Sequence, residues 1–341
     1  MSALQALPSF VLALFFVALA ACSTKPLEHI TQSNLAPSPT SALHGRFFGT
    51  TTLLISDGET HIMVDGFFTR HSKWHTVING IQSDRWHIAQ GLLKGKVTTL
   101  DWLLISHAHF DHALDADNTA TMTNATVIGS QQSLQHITRA PTRQMQPHFP
   151  LHDSKFDIYS FDSGHIQKKP FSQWIENTYV WAARGSAFAD PGTVYSFLLT
   201  HPQGNLLIVP SARFPDTIKL PVAADTVFLG IGLVGKLEDS DIEELWQHAV
   251  VNTCARQVIP IHWDDFTHPI APNIPPTQPP FDDLAHTFKI LQQLSERDGI
   301  PIIFPPAYRP FAVIPETKPF SSSDNVCLQV QRQDKMTNAE T

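Results

Sequence analysis

The sequence predicts an α+β domain in which sheets are covered by helices. Three features point there. Short apolar runs bounded by Gly, Pro, Asn and Asp recur along the chain, as strands and hairpins do. Two longer stretches repeat apolar residues at helical spacing. Both kinds occur in two similar halves, so each half can supply a sheet with helices over it. With 341 residues, 42% of them apolar, the chain can bury a large core, and its length fits one big domain or two ordinary ones.

The elements follow in order. Structure is expected from His44. Phe47 to Ile55 and His61 to Val64 read as two strands joined at Ser56-Asp57-Gly58. Residues 71 to 100 are mixed, with a short helix around Asp84 to Leu93. Leu100 to Ile105 is a short apolar run, as expected of a strand buried on both faces. Ala125 to Ile128 and Asp157 to Phe161 are further short strands. In the second half, Val194 to Leu199 and Asn205 to Val209 flank the Pro202-Gln203-Gly204 turn, and Val227 to Leu229 is another strand. Ser240 to Gln257 reads as a helix, with Ser240 and Glu243 as a capping box. Ile242, Leu245, Trp246, Ala249 and Val250 fall on one face of it. Val258 to Ile261 is a strand running into His262. After a Pro-rich loop (Pro272 to Pro280), a second amphipathic helix is expected from Phe281 to Arg297, with Gly299 suited to its C-cap. Ile300 to Phe304 is the last expected strand.

Residues 1–21 read as a signal peptide: Phe10 to Ala21 is an unbroken apolar run too short to span a bilayer. Leu19-Ala20-Ala21-Cys22 resembles a bacterial lipobox, in which Cys22 is acylated, and several chains on one Cys anchor stably. Ser23 resembles the sorting pattern for the outer membrane, so the expected location is the periplasmic face of that membrane. The alternative is an ordinary secreted protein cut near Ala20 or Ala21. Residues 22–43 are then a flexible tether, 44–318 the folded domain and 319–341 a polar tail. In an oxidising compartment Cys254 and Cys327 are able to pair.

The net charge is −8 and no block of Lys or Arg occurs, which argues against a nucleic-acid partner. Eighteen His raise the prior for metal binding and for general-base chemistry alike. They concentrate usefully in one place. Ser106-His107-Ala108-His109-Phe110-Asp111-His112 follows a buried strand, and a loop there can turn its side chains to one point. Imidazole nitrogens with a carboxylate oxygen are a ligand set that zinc favours. The pattern H-x-H-x-D-H is expected only about 0.003 times by chance in a chain of this composition.

With these residues the chain resembles the metallo-β-lactamase superfamily over roughly 45 to 310. Further features match in order: Val64-Asp65-Gly66 after a hairpin, Ser163-Gly164-His165 after a strand, and Ile261-His262 at the end of another. The resemblance implies a four-layer αββα sandwich and a hydrolase. It implies that His107, His109 and His165 hold one zinc ion, that Asp111, His112 and His262 hold a second, and that Asp65 supports the site from behind. Asp111 would also orient the nucleophile. Asp264, Asp265 and His268 are candidates to protonate the leaving group. Iron or manganese fits the same ligands. One position departs from the pattern: Ser211 stands where most hydrolases of this fold carry a bridging Asp, which weakens the second metal site.

Gly49-Thr50-Thr51-Thr52-Leu53-Leu54, His262-Trp263-Asp264-Asp265-Phe266 and Ser211-Ala212 look closest to lactonase-like and phospholipid-cleaving members. The expected substrate is thus a small or lipid-like ester, lactone or phosphodiester. A β-lactamase and a metal-binding lipoprotein without catalysis are the alternatives. Phe67 and Phe68 read as core rather than pocket.

Overall fold

The computed structural model describes residues 42–146, 150–167, 178, 180–268, 275–279 and 281–315. Cys22, Cys327, the signal and the polar tail lie outside them. Among the described residues two mixed sheets form the centre. One runs β13-β1-β2-β3-β4-β5-β6, from β1 (His44–Phe47), β2 (Leu53–Ser56), β3 (His61–Val64), β4 (Trp102–Leu104), β5 (Thr126–Gly129), β6 (Thr142–Gln144) and β13 (Phe311–Ala312). The other runs β12-β11-β10-β9-β8-β7, from β7 (Leu151–Asp153), β8 (Phe156–Asp162), β9 (Tyr195–Thr200), β10 (Leu206–Val209), β11 (Thr226–Gly230) and β12 (Gln257–Ile261). In each sheet antiparallel strands give way to parallel ones: β1 to β3 are antiparallel and β3 to β6 parallel, while β7 to β10 are antiparallel and β10 to β12 parallel.

Period-two alternation sorts the side chains of the first sheet. Leu53, Ile55, Ile62, Val64 and Leu104 point between the sheets, where they join Ile158, Phe197 and Ile208 of the second. Leu54, Met63, Leu103 and Val127 point the other way. They pack against Ile88 and Leu92 of the Arg85–Lys94 helix and Ala116 and Ala120 of the Ala116–Thr123 helix. On the second sheet the Asp239–Trp246 and Leu284–Asp298 helices bury Ile242, Trp246, Leu291 and Leu294. Helix, sheet, sheet and helix make four layers.

Four expectations shift. Phe47 to Ile55 is two strands, because Gly49 (φ 92°) and Thr50 (φ 52°) turn the chain between β1 and β2. A Cβ at Gly49 would lie 2.1 Å from the Arg70 guanidinium, so only glycine fits there. The helix expected to reach Gln257 closes with a wider turn over Gln247–Val251, and Gln257 opens β12 instead. Its N-cap is Glu238, with Ser240 already inside the helix, so the capping box does not form. The last helix begins at Leu284, where the Asp283 side chain accepts the His286 N–H, and ends as expected at left-handed Gly299. Ile300 to Phe304 contributes only an isolated bridge from Ile302 to Val258, and the final strand is Phe311–Ala312.

Candidate metal centre

The strand directions gather the site. β3 runs into Asp65, β4 into Ser106 and the His107–His112 loop, β8 into Ser163 and His165, β10 into Ser211, and β12 into His262. Carboxyl ends of strands are where sheets of this kind leave a crevice for ligands. Two ligand clusters result. His107, His109 and His165 each bring one ring nitrogen within 4.8 Å of the others, and Asp111, His112 and His262 bring one ligand atom each within the same limit. The rings of His107 and His112 lie 3.9 Å apart, so the clusters adjoin.

Their internal spacings are those of atoms that share an ion. His107 Nε2 is 3.2 Å from His109 Nδ1. Asp111 Oδ2 is 3.3 Å from His262 Nε2 and 3.5 Å from His112 Nε2. Ligands held tetrahedrally at roughly 2.0–2.1 Å from zinc lie about 3.3 Å from one another. Burial and the imidazoles around it hold His107 well below the usual histidine range, which keeps it a neutral ligand. Burial acts to raise Asp111, but His112, His262 and His109 outweigh it and hold the carboxyl far below the usual range. Donor chemistry and spacing both suit divalent transition metals.

Support comes from behind. Asp65 is fully buried and sits in the left-handed region (φ 58°), a sparsely populated conformation for a residue other than glycine. Its Oδ1 accepts the Ser106 N–H (2.7 Å), and its Oδ2 accepts from the Ser106 and Thr51 hydroxyls and pairs with His112 Nδ1 (2.7 Å). That contact leaves His112 Nε2 for the cluster. A carboxylate behind a ligand histidine fixes its tautomer and raises its basicity.

The three threonines after Gly49 serve three limbs of the site. The Thr50 carbonyl accepts the His262 N–H (2.7 Å), and its own N–H is given to Asp264 (2.6 Å). Thr51 reaches Asp65 and His112. The Thr52 hydroxyl bonds both backbone groups of Phe67. His262 is also left-handed (φ 59°), and a Cβ on neighbouring Gly232 would meet its Nδ1 at 2.7 Å. Only a glycine leaves room for that ring.

No family model matches the chain. It is 31% identical over 97 residues to a UPF0173 metal-dependent hydrolase of Heliobacterium modesticaldum, which is 28% of this chain and 34% of that one. With a second protein of that name, from Flavobacterium johnsoniae, it shares 23% identity over 224 residues, 64% of this chain and 84% of the other. It thus spans about a third of the first relative's length and most of the second's. Among solved structures, a metallo hydrolase from the archaeon Ignicoccus hospitalis superposes with a TM-score of 0.50 and 15% identity, covering 81% of this chain and 99% of that one. The four layers and their match over that whole chain decide the architecture. The chain has the metallo-β-lactamase fold.

Within this metallo-β-lactamase fold the other sequence candidates separate. Asp264 is buried, with Oδ1 on the Thr50 N–H and Oδ2 paired with the buried guanidinium of Arg70 (2.7 Å). Both oxygens are engaged in bracing the Gly49–Thr52 loop, so Asp264 is a strut rather than a proton donor. His268 is exposed and pairs with Asp265 Oδ2 at 3.0 Å. Burial opposes ionisation of Asp265, yet the Thr267 hydroxyl and Lys73 prevail and hold its carboxyl below the ordinary range. Ser211 is buried beside His165: its carbonyl accepts the Ile166 N–H, and its hydroxyl has no hydrogen-bond partner among the described residues. A buried hydroxyl without a partner just after β10, in the stretch that leads into the site, fits a site that is completed by ligands.

A small cavity of about 20 Å³ lies near the centre, lined by Phe67, Thr69, His71, Phe110, Phe266 and Thr267 among others and by none of the six clustered residues. Phe110 lies between His109 and Asp111 in sequence, and the Phe266 ring is 6.3 Å from that of His262. Phe67 and Phe68 are both fully buried, as the sequence reading has them; Phe67 also borders this cavity, and Phe68 packs against Phe48. Sequence reasoning missed Thr51, the Arg70 strut, and buried Asp115. Asp115 takes the Phe68 and Thr69 N–H groups and the Ser83 hydroxyl, which pins the cavity wall.

Proposed function

We propose that this chain, a metal-dependent hydrolase of the metallo-β-lactamase fold, cleaves an uncharged ester or lactone with an apolar body, using two zinc ions at the cell envelope. The observation that carries the reading is the pair of adjoining three-residue clusters beside an aromatic cavity. His107, His109 and His165 would hold one ion and Asp111, His112 and His262 the other. Bound there, such ions supply a Lewis acid for a carbonyl or phosphoryl oxygen and acidify water.

The chain's own residues do the rest. Asp65 holds the His112 proton on the side away from the cluster, and Asp111, between the His112 and His262 rings, is placed to orient a polar hydrogen of the nucleophile. Phe67, Phe110 and Phe266 exclude water from the approach, and Thr69, His71, Thr76, Gln82 and Thr267 are the polar residues on the wall. No Lys or Arg stands among the lining residues, which favours a neutral ester or lactone over a phosphodiester. His268 with Asp265, next to Thr267, is the better-placed relay for a leaving group.

Two observations support a lipid-like substrate at an exported location. Cys254 is disulfide-bonded, with its partner outside the described residues, as suits an oxidising compartment. Trp74 and Ile78, four apart on the Lys73–Asn79 helix, are 59% and 66% exposed, and Trp86 on the next helix is 65% exposed. Exposed indoles suit a membrane–water interface. The anchor on Cys22 and the outer-membrane location complete the proposal.

The test is turnover of an aryl ester, a γ-lactone, a phosphodiester and nitrocefin by the zinc-loaded full chain and by His109→Ala. Ester or lactone hydrolysis that falls by more than about a hundredfold in the variant supports the reading. Nitrocefin turnover alone would make the protein a β-lactamase. No turnover of any ester with both ions bound would leave a metal-binding lipoprotein.

A further inference from the structure

A third group of ligand-type side chains lies apart from the dinuclear centre and shares no residue with it. His71, Asp84 and His87 bring one ligand atom each within 4.8 Å of the others. His87 Nδ1 is 3.0 Å from Asp84 Oδ2, and His71 Nε2 is 3.8 Å from the same oxygen. His87 Nδ1 is buried, and the Asp84 carboxylate is the group it faces among the described residues. A histidine nitrogen and a carboxylate oxygen at this distance are also placed as two ligands of one cation are placed.

The surroundings make a built site. Asp84 Oδ1 is spent on the Trp86 N–H, which leaves Oδ2 for ligation. The Asp84 N–H is held by the Thr69 hydroxyl (2.8 Å), itself bonded to Asp115. The His71 ring is flanked by His75, stacked at 4.1 Å, and by His87, edge-on at 4.8 Å. All three proposed ligands are half-buried, so a cation there keeps an open side to water. Two imidazoles with one carboxylate select zinc and its neighbours over calcium or magnesium, which prefer oxygen.

We propose that His71, Asp84 and His87 form a third metal site, for a zinc-class divalent cation, that staples the segment lining the cavity. The chain between His71 and Asp84 supplies Thr76, Gly80, Ile81 and Gln82 to the cavity wall. A cation joining its two ends fixes that wall without touching the reacting atoms.

The full chain, stripped with chelator, is dialysed to equilibrium against zinc, and bound metal is counted for wild type, His87→Phe, His71→Gln and His109→Ala. The expected result is that His87→Phe and His71→Gln each bind one equivalent fewer than wild type, whatever the dinuclear centre holds. His109→Ala, which damages only the dinuclear centre, retains the additional equivalent. Circular dichroism identifies a variant that has failed to fold, and the other of the pair then gives the answer. Equal counts in wild type and in the folded His71 or His87 variants would overturn the proposal, and so would loss of this cation in folded His109→Ala.

Discussion

The two clusters of the metal centre use mostly the same residue type and are held in opposite ways. His107, His109 and His165 are three imidazoles, with a serine hydroxyl beside His107 and a backbone carbonyl beside His165. Asp111, His112 and His262 carry one carboxylate within the cluster and a second, Asp65, directly behind it. The first cluster carries no carboxylate and attracts a cation by lone pairs, with burial and the neighbouring imidazoles holding His107 well below the usual histidine range. The second is anionic and attracts it by charge as well. A metal centre arranged this way has an electrophilic half and an anchoring half.

Asp111→Asn breaks that contrast most directly, because it removes the charge and keeps the shape. We expect zinc affinity at its cluster to fall by more than about a hundredfold, above the range for losing a mere supporting partner. Turnover should fall with it, while the three-histidine cluster keeps its ion. Chelator competition resolves the two ions. If both were lost together in Asp111→Asn, the clusters would be one electrostatic unit and the contrast would fail.

Asp65→Asn sharpens the same contrast one step out. Asp65 serves the Ser106 N–H, two hydroxyls and His112 Nδ1, and an asparagine offers one acceptor oxygen for them. The expected loss is about 10- to 100-fold in affinity for the ion of the Asp111 cluster, with a matching fall in kcat/KM. An unchanged affinity with a large loss of turnover would instead place Asp65 in the reaction.

The same contrast explains what the sequence disclosed. His107 to His112 were legible because four ligand-type residues stand at fixed spacing after an apolar run, a local signal. His165 and His262 were legible only through the resemblance, since each is a lone histidine at a strand end. The β1–β2 turn was not, because Phe47 to Ile55 is apolar on both sides of Gly49 and the left-handed φ of Thr50 leaves no mark in composition. Asp264 looked like an acid near the metals because it is two residues from His262. Its Arg70 partner is 194 positions away, and no local pattern shows such a pair. His71, Asp84 and His87 were missed for a related reason: a loop and a helix start meet only through the turn of the chain between them.

The smallest effect on turnover is expected at Asp282, which steadies the anchoring half from a distance. Its Oδ2 accepts the N–H of left-handed Leu233, next to the Gly232 that makes room for the His262 ring. Burial pushes the Asp282 carboxyl up from 3.8 to about 6, against the opposing pull of the Leu233 and Asp283 N–H groups and Lys236. A folded-state value above the unfolded one means stabilisation that is complete below the unfolded value and lost as pH rises through about 6. The full loss is up to about 3 kcal/mol by linkage. Asp282→Asn carries no such proton, so its stability relative to wild type should rise between pH 4 and pH 8 while turnover stays close to wild type. Urea unfolding of the metal-free chain at the two pH values measures this, because the titration of the histidines is common to both proteins and drops out of their difference. Parallel profiles for the two proteins would mean that the carboxyl is solvated in the native state, and the turn behind His262 would then be looser than its hydrogen bonds imply.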